Sequence, residues 1–405
     1  MGCGAIQLRS HYDSSLTSVI GFGGVSCVSG ATAKILSAFF CLSFVLPLQL
    51  ATAQAQKAAG RYEEKKRQTN DIAVSIIVSG LTCTCARFAE DIRNVVNDLR
   101  PDGLRVLPVL GVGGLQNLND VLFLKNVEMG VVDEDNLALL KKRDPQLYAS
   151  IEQNVQYITK LYNSEFHVLA RNEIKSYDDL RGKKVNFNLK DSQTEVSAEI
   201  IFEMLKIGVE RTNYDNDEAI KRVRSGELSA MIILTGAPQA ALAKLTKEDG
   251  VHFLALDERQ LPNHDLRPIF TKYLPSELTH KQYPALIPDG ASVSTAGNRA
   301  LLVTYAWPVG SVRYNKVARF VHEFFGKIDQ FHDGARHPKW EEVVISAEIP
   351  GWVRFKPAAD WIAQHRAVAL KPEFDRFIQS RTAISDRDRE ALFREFQEYL
   401  RSSSR

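Results

Sequence analysis

Leu161 to Gly208 reads LYNSEFHVLARNEIKSYDDLRGKKVNFNLKDSQTEVSAEIIFEMLKIG, and its local patterns decide the fold class. FHVLAR (166–171) is a short buried-type run, the length of one strand. DDLRGKKVNFN ends a helix, turns at Gly182 and enters a second strand. SQTEVSAEIIFEMLKIG then places apolar residues at helical spacing. Its start, Ser192-x-x-Glu195, is a capping-box spacing, in which a hydroxyl and a carboxylate satisfy the N–H groups that a helix start leaves unpaired. Strand, turn, strand and helix in this order form a piece of an α/β protein.

The same alternation extends in both directions. Upstream, IAVSIIV (72–78) is a β-branched strand that ends at Ser79-Gly80, and Arg87–Leu99 follows with Phe88, Ile92, Val95, Val96 and Leu99 at helical spacing. LRVLPVLGVGG, LNDVLFLKN, MGVVDED and DEDNLALLKKR read as strand, helix, strand and helix, and 147–162 reads as a helical stretch before FHVLAR. Downstream, LSAMIILT (228–235) is a buried-type strand ending in Gly236-Ala237-Pro238, with QAALAKL as the helix after it. The remainder is more helical: VARFVHEFFGKIDQF, PAADWIAQH and finally DRDREALFREFQEYLRSSSR, whose apolar stripe of Leu392, Phe393, Phe396 and Leu400 marks a surface helix. Such alternation predicts mainly parallel sheets with ligand-contacting loops at the strand C-termini.

At 405 residues, 44% hydrophobic and 25% charged, the chain has the balance of a globular protein with a substantial core. The formal net charge of +2, with acids and bases interspersed, gives no basic face for nucleic acid. Lys34, the apolar run Ile35–Leu50 and the small-residue sites Ala51-Thr52-Ala53 or Ala53-Gln54-Ala55 follow the order of a cleavable secretory signal peptide. The run contains Pro47 and is shorter than the roughly 20 residues of a spanning helix. Of 5 cysteines, only Cys83 and Cys85 would remain after cleavage, which excludes a disulfide-rich scaffold.

Cys83-Thr84-Cys85 lacks the further ligands of a zinc site, is not the C-x-x-C of a thioredoxin-type pair, and has a spacing at which a disulfide is expected to be strained. It reads as a ligand-facing loop or as plain packing of small side chains. Gly111–Gly114 does not complete a dinucleotide fingerprint, and Gly182-Lys183-Lys184 lacks the spacing of a phosphate loop, so both read as turns. His167 reads as a satisfied strand histidine. Asp133, Glu134 and Asp135 read first as helix N-capping and second as a hard-cation site. No catalytic set, metal centre or cofactor motif is apparent, so a binding protein is expected rather than an enzyme.

Leu161-Tyr162, His167, Asp179-Leu180, Gly182-Lys183, Val185-Asn186, Ser192 and Thr194-Glu195 give the Leu161–Gly208 segment a specific resemblance to the TAXI family of TRAP-transporter solute-binding proteins. GVGGLQNLNDVLFLKNVEMGVVDEDNL (111–137) and ILTGAPQAAL (233–242) resemble further parts of that family; ASVSTAGNRALLVT and RFKPAADWI do so loosely. The resemblance implies a type II periplasmic-binding fold, two α/β lobes joined by hinge strands around a ligand cleft. It also implies a periplasmic receptor that passes a small organic anion or amino acid to TRAP-type membrane permease subunits. The second function considered is a sensor or scaffold without a transport role.

The chain departs from the family in its first loop, Thr82 to Arg87, and at Asn188–Gln193, where three of the family's glycines are replaced. Arg87 and Lys190 are candidates to supply charge there. The expected organisation is a signal region at 1–55, a linker at 56–71, the first part of lobe 1 at 72–168, lobe 2 at 169–302, the return to lobe 1 at 303–370 and a C-terminal helical extension at 371–405. The expected ligand-binding residues are Ser79, Thr82, Thr84, Arg87, Asn117, Asp133, Ser192, Gln193, Thr194, Thr235 and Gly236, with Cys83 and Cys85 as packing or lining.

Overall fold

The computed structural model describes residues 56–100, 102–366, 368–371, 374, 388 and 391–394. The expected signal peptide and most of the expected C-terminal extension lie outside these residues. The chain divides into two units, Met1–Lys65 and Lys66–Arg405. Of the first, residues 56–65, read from sequence as linker, are helical and exposed. No described helix is long and apolar enough to cross a membrane.

In the second unit the β-branched run at its start forms β1 (Ala73–Val78), which pairs in parallel with β2 (Arg105–Leu110) and β3 (Met129–Asp133). A second parallel triplet consists of β5 (Lys184–Asn186), β6 (Glu210–Thr212) and β7 (Ala230–Thr235). Two long strands, β4 (Val155–Arg171) and β10 (Ser292–Tyr305), lie between the triplets and pair with each other antiparallel. The order across the sheet is β2-β1-β3-β10-β4-β7-β5-β6, with β8 (Val251–Phe253) beside β4 and β9 (Leu274–Thr279) beside β10. This is the type II periplasmic-binding arrangement, two α/β lobes on strands common to both. The boundaries expected at 168/169 and 302/303 fall inside β4 and β10.

Alternation along the strands sets the cores. Val74, Ile76 and Val78 of β1 face α1 (Thr84–Val96) and α8 (Val312–Gly326), packing on Phe88, Ile92, Phe320 and Phe324. Ile77 points the other way, toward Leu118 and Val121 of α2 (Gly114–Phe123) and Leu137 and Leu140 of α3 (Asn136–Arg143). In the other lobe Phe166 and Val168 pack with Ile201 and Phe202 of α5 (Gln193–Met204), and Leu169, Met231 and Ile233 pack with Ala219 and Val223 of α6 (Asn216–Ser225). α4 (Ile151–Asn154), α7 (Arg267–Lys272) and α9 (Lys356–Gln364) complete the helices used below.

Two sequence readings are corrected. The stretch 147–162 is helical only at α4, and β4 begins at Val155. Tyr157, Ile158, Leu161 and Tyr162 recur at helical spacing, so periodicity alone reads this half of β4 as helix, although all four are buried in a strand. QAALAKL contains only a 3-10 turn, Leu242–Lys244, beyond the bend at Pro238.

The two long strands meet beside a buried ion cluster. Lys339 Nζ contacts Glu165 of β4, and it also donates to Glu342 at 2.6 Å. Glu165 Oε2 accepts from Ala237 N at 2.8 Å. Next to it His167 Nδ1 donates to the Glu165 carbonyl at 2.8 Å, and its Nε2 accepts from Tyr283 Oη, also 2.8 Å; that hydroxyl in turn accepts from Gln239 N. His167 is thus a satisfied strand histidine, as its sequence context suggests.

Burial raises the Glu165 carboxyl to about 7, with Lys339 opposing part of the rise. Burial lowers His167 to about 4, against hydrogen bonds that raise it. Between the ordinary glutamate value of 4.5 and about 7, Glu165 holds more protons folded than unfolded, so stability falls as pH rises through that window. His167 acts oppositely: stability rises with pH from about 4 to 6.5. Glu165→Gln removes the falling contribution and keeps the rising one. Urea unfolding should therefore show the variant gaining on the wild type as pH rises from about 5 to about 7, by at most about 1.4 kcal/mol per pH unit. A stability difference that is flat with pH would show that Glu165 does not titrate in this window.

Candidate functional site

Each parallel strand ends in a turn that opens a helix, and these ends converge. β1 runs through Ser79–Cys83 into α1, β2 through Gly111–Gly113 into α2, and β5 through Asn188–Ser192 into α5. Together with Asp133 at the end of β3, Thr235 at the end of β7 and the first turn of α6, they enclose a cavity of about 400 Å³. The C-terminal edge of parallel strands is where open α/β sheets place ligands, because helix N-termini present free N–H groups there.

Eight of the sequence-derived site residues line this cavity: Ser79, Thr82, Asn117, Asp133, Ser192, Gln193, Thr194 and Thr235. Ser79 Oγ donates to Val112 O at 3.1 Å, and Asn117 Nδ2 to Val131 O at 3.0 Å, so both tie neighbouring turns together. Ser192 caps α5 by accepting from Glu195 N at 3.2 Å. Glu195 completes no reciprocal box, because its carboxylate accepts from Asp191 N at 2.6 Å and Asn213 Nδ2 at 2.8 Å. Thr194 Oγ1 accepts from Leu234 N, fixing the helix start on β7.

Thr84, Arg87 and Gly236 do not line the cavity. Thr84 lies one residue past the α1 cap and turns toward the opposite lobe, donating from Oγ1 to Gly236 O at 2.6 Å; that contact also places Gly236 behind the wall. Arg87, a turn further along α1, faces outward to Ala335 O at 2.8 Å and Asp91 at 3.3 Å. Lys190 is exposed and likewise outside the lining.

The cysteines depart from expectation more sharply. Cys83 and Cys85 are bonded to each other, and both line the cavity. Two residues apart at the entry to α1, their Cα atoms stand at 5.2 Å, inside the range a disulfide requires. Cys83 also stands at the N-cap of α1, its sulfur accepting from Cys85 N at 3.0 Å.

The acidic strand end is also not what sequence suggests. Asp135 occupies the N-cap position of α3 without a side-chain cap bond. Its Oδ1 instead accepts from Gln193 Nε2 and Asn298 Nδ2, each at 2.9 Å, and Lys272 Nζ lies 3.8 Å from Oδ2. Glu134 pairs with Arg299. Burial raises Asp135 against the pull of Lys272, and burial with the Asp135 charge drives Asp133 well above the carboxylate range. Among the described residues no group of three or more His, Cys, Asp or Glu is placed to hold a metal ion.

Sequence reading missed the first turn of α6, which brings Asp215, Asn216, Asp217, Glu218 and Lys221 to the cavity. The signal was present: Asp215-x-x-Glu218 precedes an amphipathic run that stops at Gly226. Asp215 caps α6 through Glu218 N at 2.9 Å, and Gly226 closes it at φ 84°. The glycine-poor loop before α5 keeps left-handed backbone at Asn188 (φ 67°) and Asp191 (φ 61°), the residue types that tolerate it best after glycine.

The lobes touch through polar side chains. Asn216 Nδ2 donates to Thr82 Oγ1 at 3.2 Å, Gln239 Nε2 to Thr82 O at 2.9 Å, and Asn136 Nδ2 bonds Gln193 Oε1.

Residues 110–358, more than half of the chain, match the family model described as the NMT1-like family. Among solved structures the chain is similar to one described as a periplasmic transporter, at 11% identity and a TM-score of 0.42 over 74% of this chain and 96% of that one. It is also similar to the alkanesulfonate-binding protein SsuA from Xanthomonas axonopodis pv. citri bound to MOPS, at 10% identity and 0.39 over 78% and 95%. A third is an ancestral arginine-binding protein bound to arginine, at 15% and 0.39 over 65% and 97%.

The lobes approach closely at Gly114, with φ 54°, where an added Cβ would lie 2.4 Å from Gln193 N. Gly114→Ala should force α2 and α5 apart and add a left-handed penalty of about 1–2 kcal/mol. The expected readout is a lower thermal midpoint with a larger radius of gyration by small-angle scattering. If neither changes, the two turns do not meet in solution.

Proposed function

The chain belongs to the NMT1-like family, and we propose that it is a receptor that captures a small polar solute in the cleft between its two lobes. The observation that carries this reading is the convergence of the α1, α2, α5 and α6 starts, with the side chains of Ser79, Thr82, Ser192 and Thr194, on one cavity of about 400 Å³. That volume suits a metabolite of amino-acid or small organic-acid size. A carboxylate on the solute is met by free N–H groups and turn hydroxyls. Closure of two lobes on common strands is a hinge motion, so capture and release follow from opening and closing the cleft.

The resemblance of Leu161–Gly208 to TAXI proteins supports the finer form of the proposal. In that form the protein is exported to the periplasm, performs no chemistry on its solute, and hands a small organic anion or amino acid to TRAP-type permease subunits. The proposed contact residues are Ser79, Thr82, Asn117, Asp133, Ser192, Gln193, Thr194 and Thr235.

Thermal unfolding of ligand-free protein against dicarboxylates, 2-oxo acids and amino acids tests the receptor role. A ligand of the native state at 100 times its Kd should stabilise it by about 2.7 kcal/mol, with a midpoint that rises with concentration. A midpoint unmoved by every compound would remove the receptor reading.

A further inference from the structure

We infer that the solute carries a protonated amino group and that Asp133 is the residue that receives it. The inference rests on the receptor reading and narrows its ligand class.

Asp133 is the last residue of β3, shares a strand face with Val131, and lines the cavity beside it. Its side chain is 9% exposed, and Oδ1 is buried with no hydrogen-bond partner. Its own N–H donates to Asn136 Oδ1 at 2.8 Å and is not turned to the carboxyl. Buried carboxylates ordinarily have a counter-charge or several donors, because an unpaired ion out of water is strongly unfavourable.

The surrounding charges show what is missing. Asp135 has two amide donors and Lys272, and the ammonium is placed against Asp135 rather than Asp133. Lys221, the one base among the described cavity residues, is 3.8 Å from Glu218 on its own helix. With Asp215, Asp217 and Glu218 also in the lining, the cavity is acidic. With Lys272 set against Asp135, a cation carried by the solute would balance the charge of Asp133. A metal ion shared by the two is disfavoured, since Gln193 and Asn298 direct N–H bonds at Asp135 Oδ1 and the Lys272 ammonium lies 3.8 Å from Oδ2. An ammonium needs only one oxygen and brings its own donors to it. The titration of Asp133 agrees with this shortage: burial first, then Asp135, push its carboxyl well above the usual range.

The alternative is a protonated Asp133 that donates to an acid oxygen of the solute, and two comparisons separate the readings. The first uses unmodified ligand-free protein and calorimetric titration with L-alanine, L-leucine and L-glutamate, each against its 2-oxo acid (pyruvate, 4-methyl-2-oxopentanoate, 2-oxoglutarate), and with putrescine. The expected result is that at least one amine binds and that its 2-oxo counterpart, where it has one, binds roughly 30-fold or more weakly. The second is Asp133→Asn, an isosteric change that keeps a donor but removes the charge. It should weaken the amine by a similar factor while leaving the unliganded thermal midpoint unchanged or higher. A 2-oxo acid that binds as tightly as its amino acid, or an Asp133→Asn protein that keeps wild-type affinity for the amine, overturns the inference and leaves the receptor reading in place. If no compound of either kind binds, the inference falls, and the wider thermal screen decides the receptor reading. Should the variant fail to fold, the ligand pairs on the unmodified protein decide alone.

Discussion

The pairing of β4 with β10 is the constraint on which the other features depend. Each strand is long enough to serve both lobes. β4 pairs with β10 over Val155 to Glu165 and then with β7 from Glu165 to Ala170; β10 pairs with β9 up to Gly297 and with β3 from Ala300. The partner change falls where Glu165 sits, and Lys339 is held against it. A charge pair buried there loses much if one member is removed, because the other is left unpaired out of water. The segment that returns to the first lobe is thereby fastened to the point where the lobes join.

With the hinge strands fixed, the strand C-termini of both triplets can only face one another. The cavity is a consequence of that geometry, and its chemistry comes from which side chains the turns carry. Where a glycine would have let backbone approach, Asn188 and Asp191 keep the left-handed conformation and add polar groups: Asn188 bonds Asn216 at 2.6 Å, and Asp191 pairs with Arg143. The loop into α5 is thus tied by side chains to the start of α6 and the end of α3. In the first loop the bonded pair Cys83 and Cys85 stiffens the same kind of turn at the start of α1.

How much was legible from sequence depended on whether the relevant physics was local. β1, β7, α5 and the Ser192 cap are local matters of propensity, periodicity and capping, and each lies close to where its residues suggest. β4 was half missed, since Tyr157, Ile158, Leu161 and Tyr162 fall at helical spacing and only the pairing with β10 makes 155–165 a central strand. Of the expected contact residues, those in the strand-end turns lie in the cavity wall because any α/β sheet directs them to its C-terminal edge. Thr84 and Arg87 lie outside that wall because their side chains point according to the rotation of α1 against the other lobe, which spacing along the chain does not contain.

The sequence by itself determined the alternation of strands and helices, the turns that face a common edge, and the small hydroxyl and amide side chains those turns carry. The tertiary structure alone decided that Thr84 spans the lobes, that Cys83 and Cys85 meet, that the first turn of α6 joins the cavity, and that Lys272 serves Asp135 while Asp133 is left without a counter-charge. The physical reason is one of range. Propensity and capping act over a few residues, whereas hydrogen bonds and ion pairs between residues 57 to 165 positions apart, such as Gln193 with Asn136 or Asn298 with Asp135, exist only once the hinge strands have set the lobes face to face.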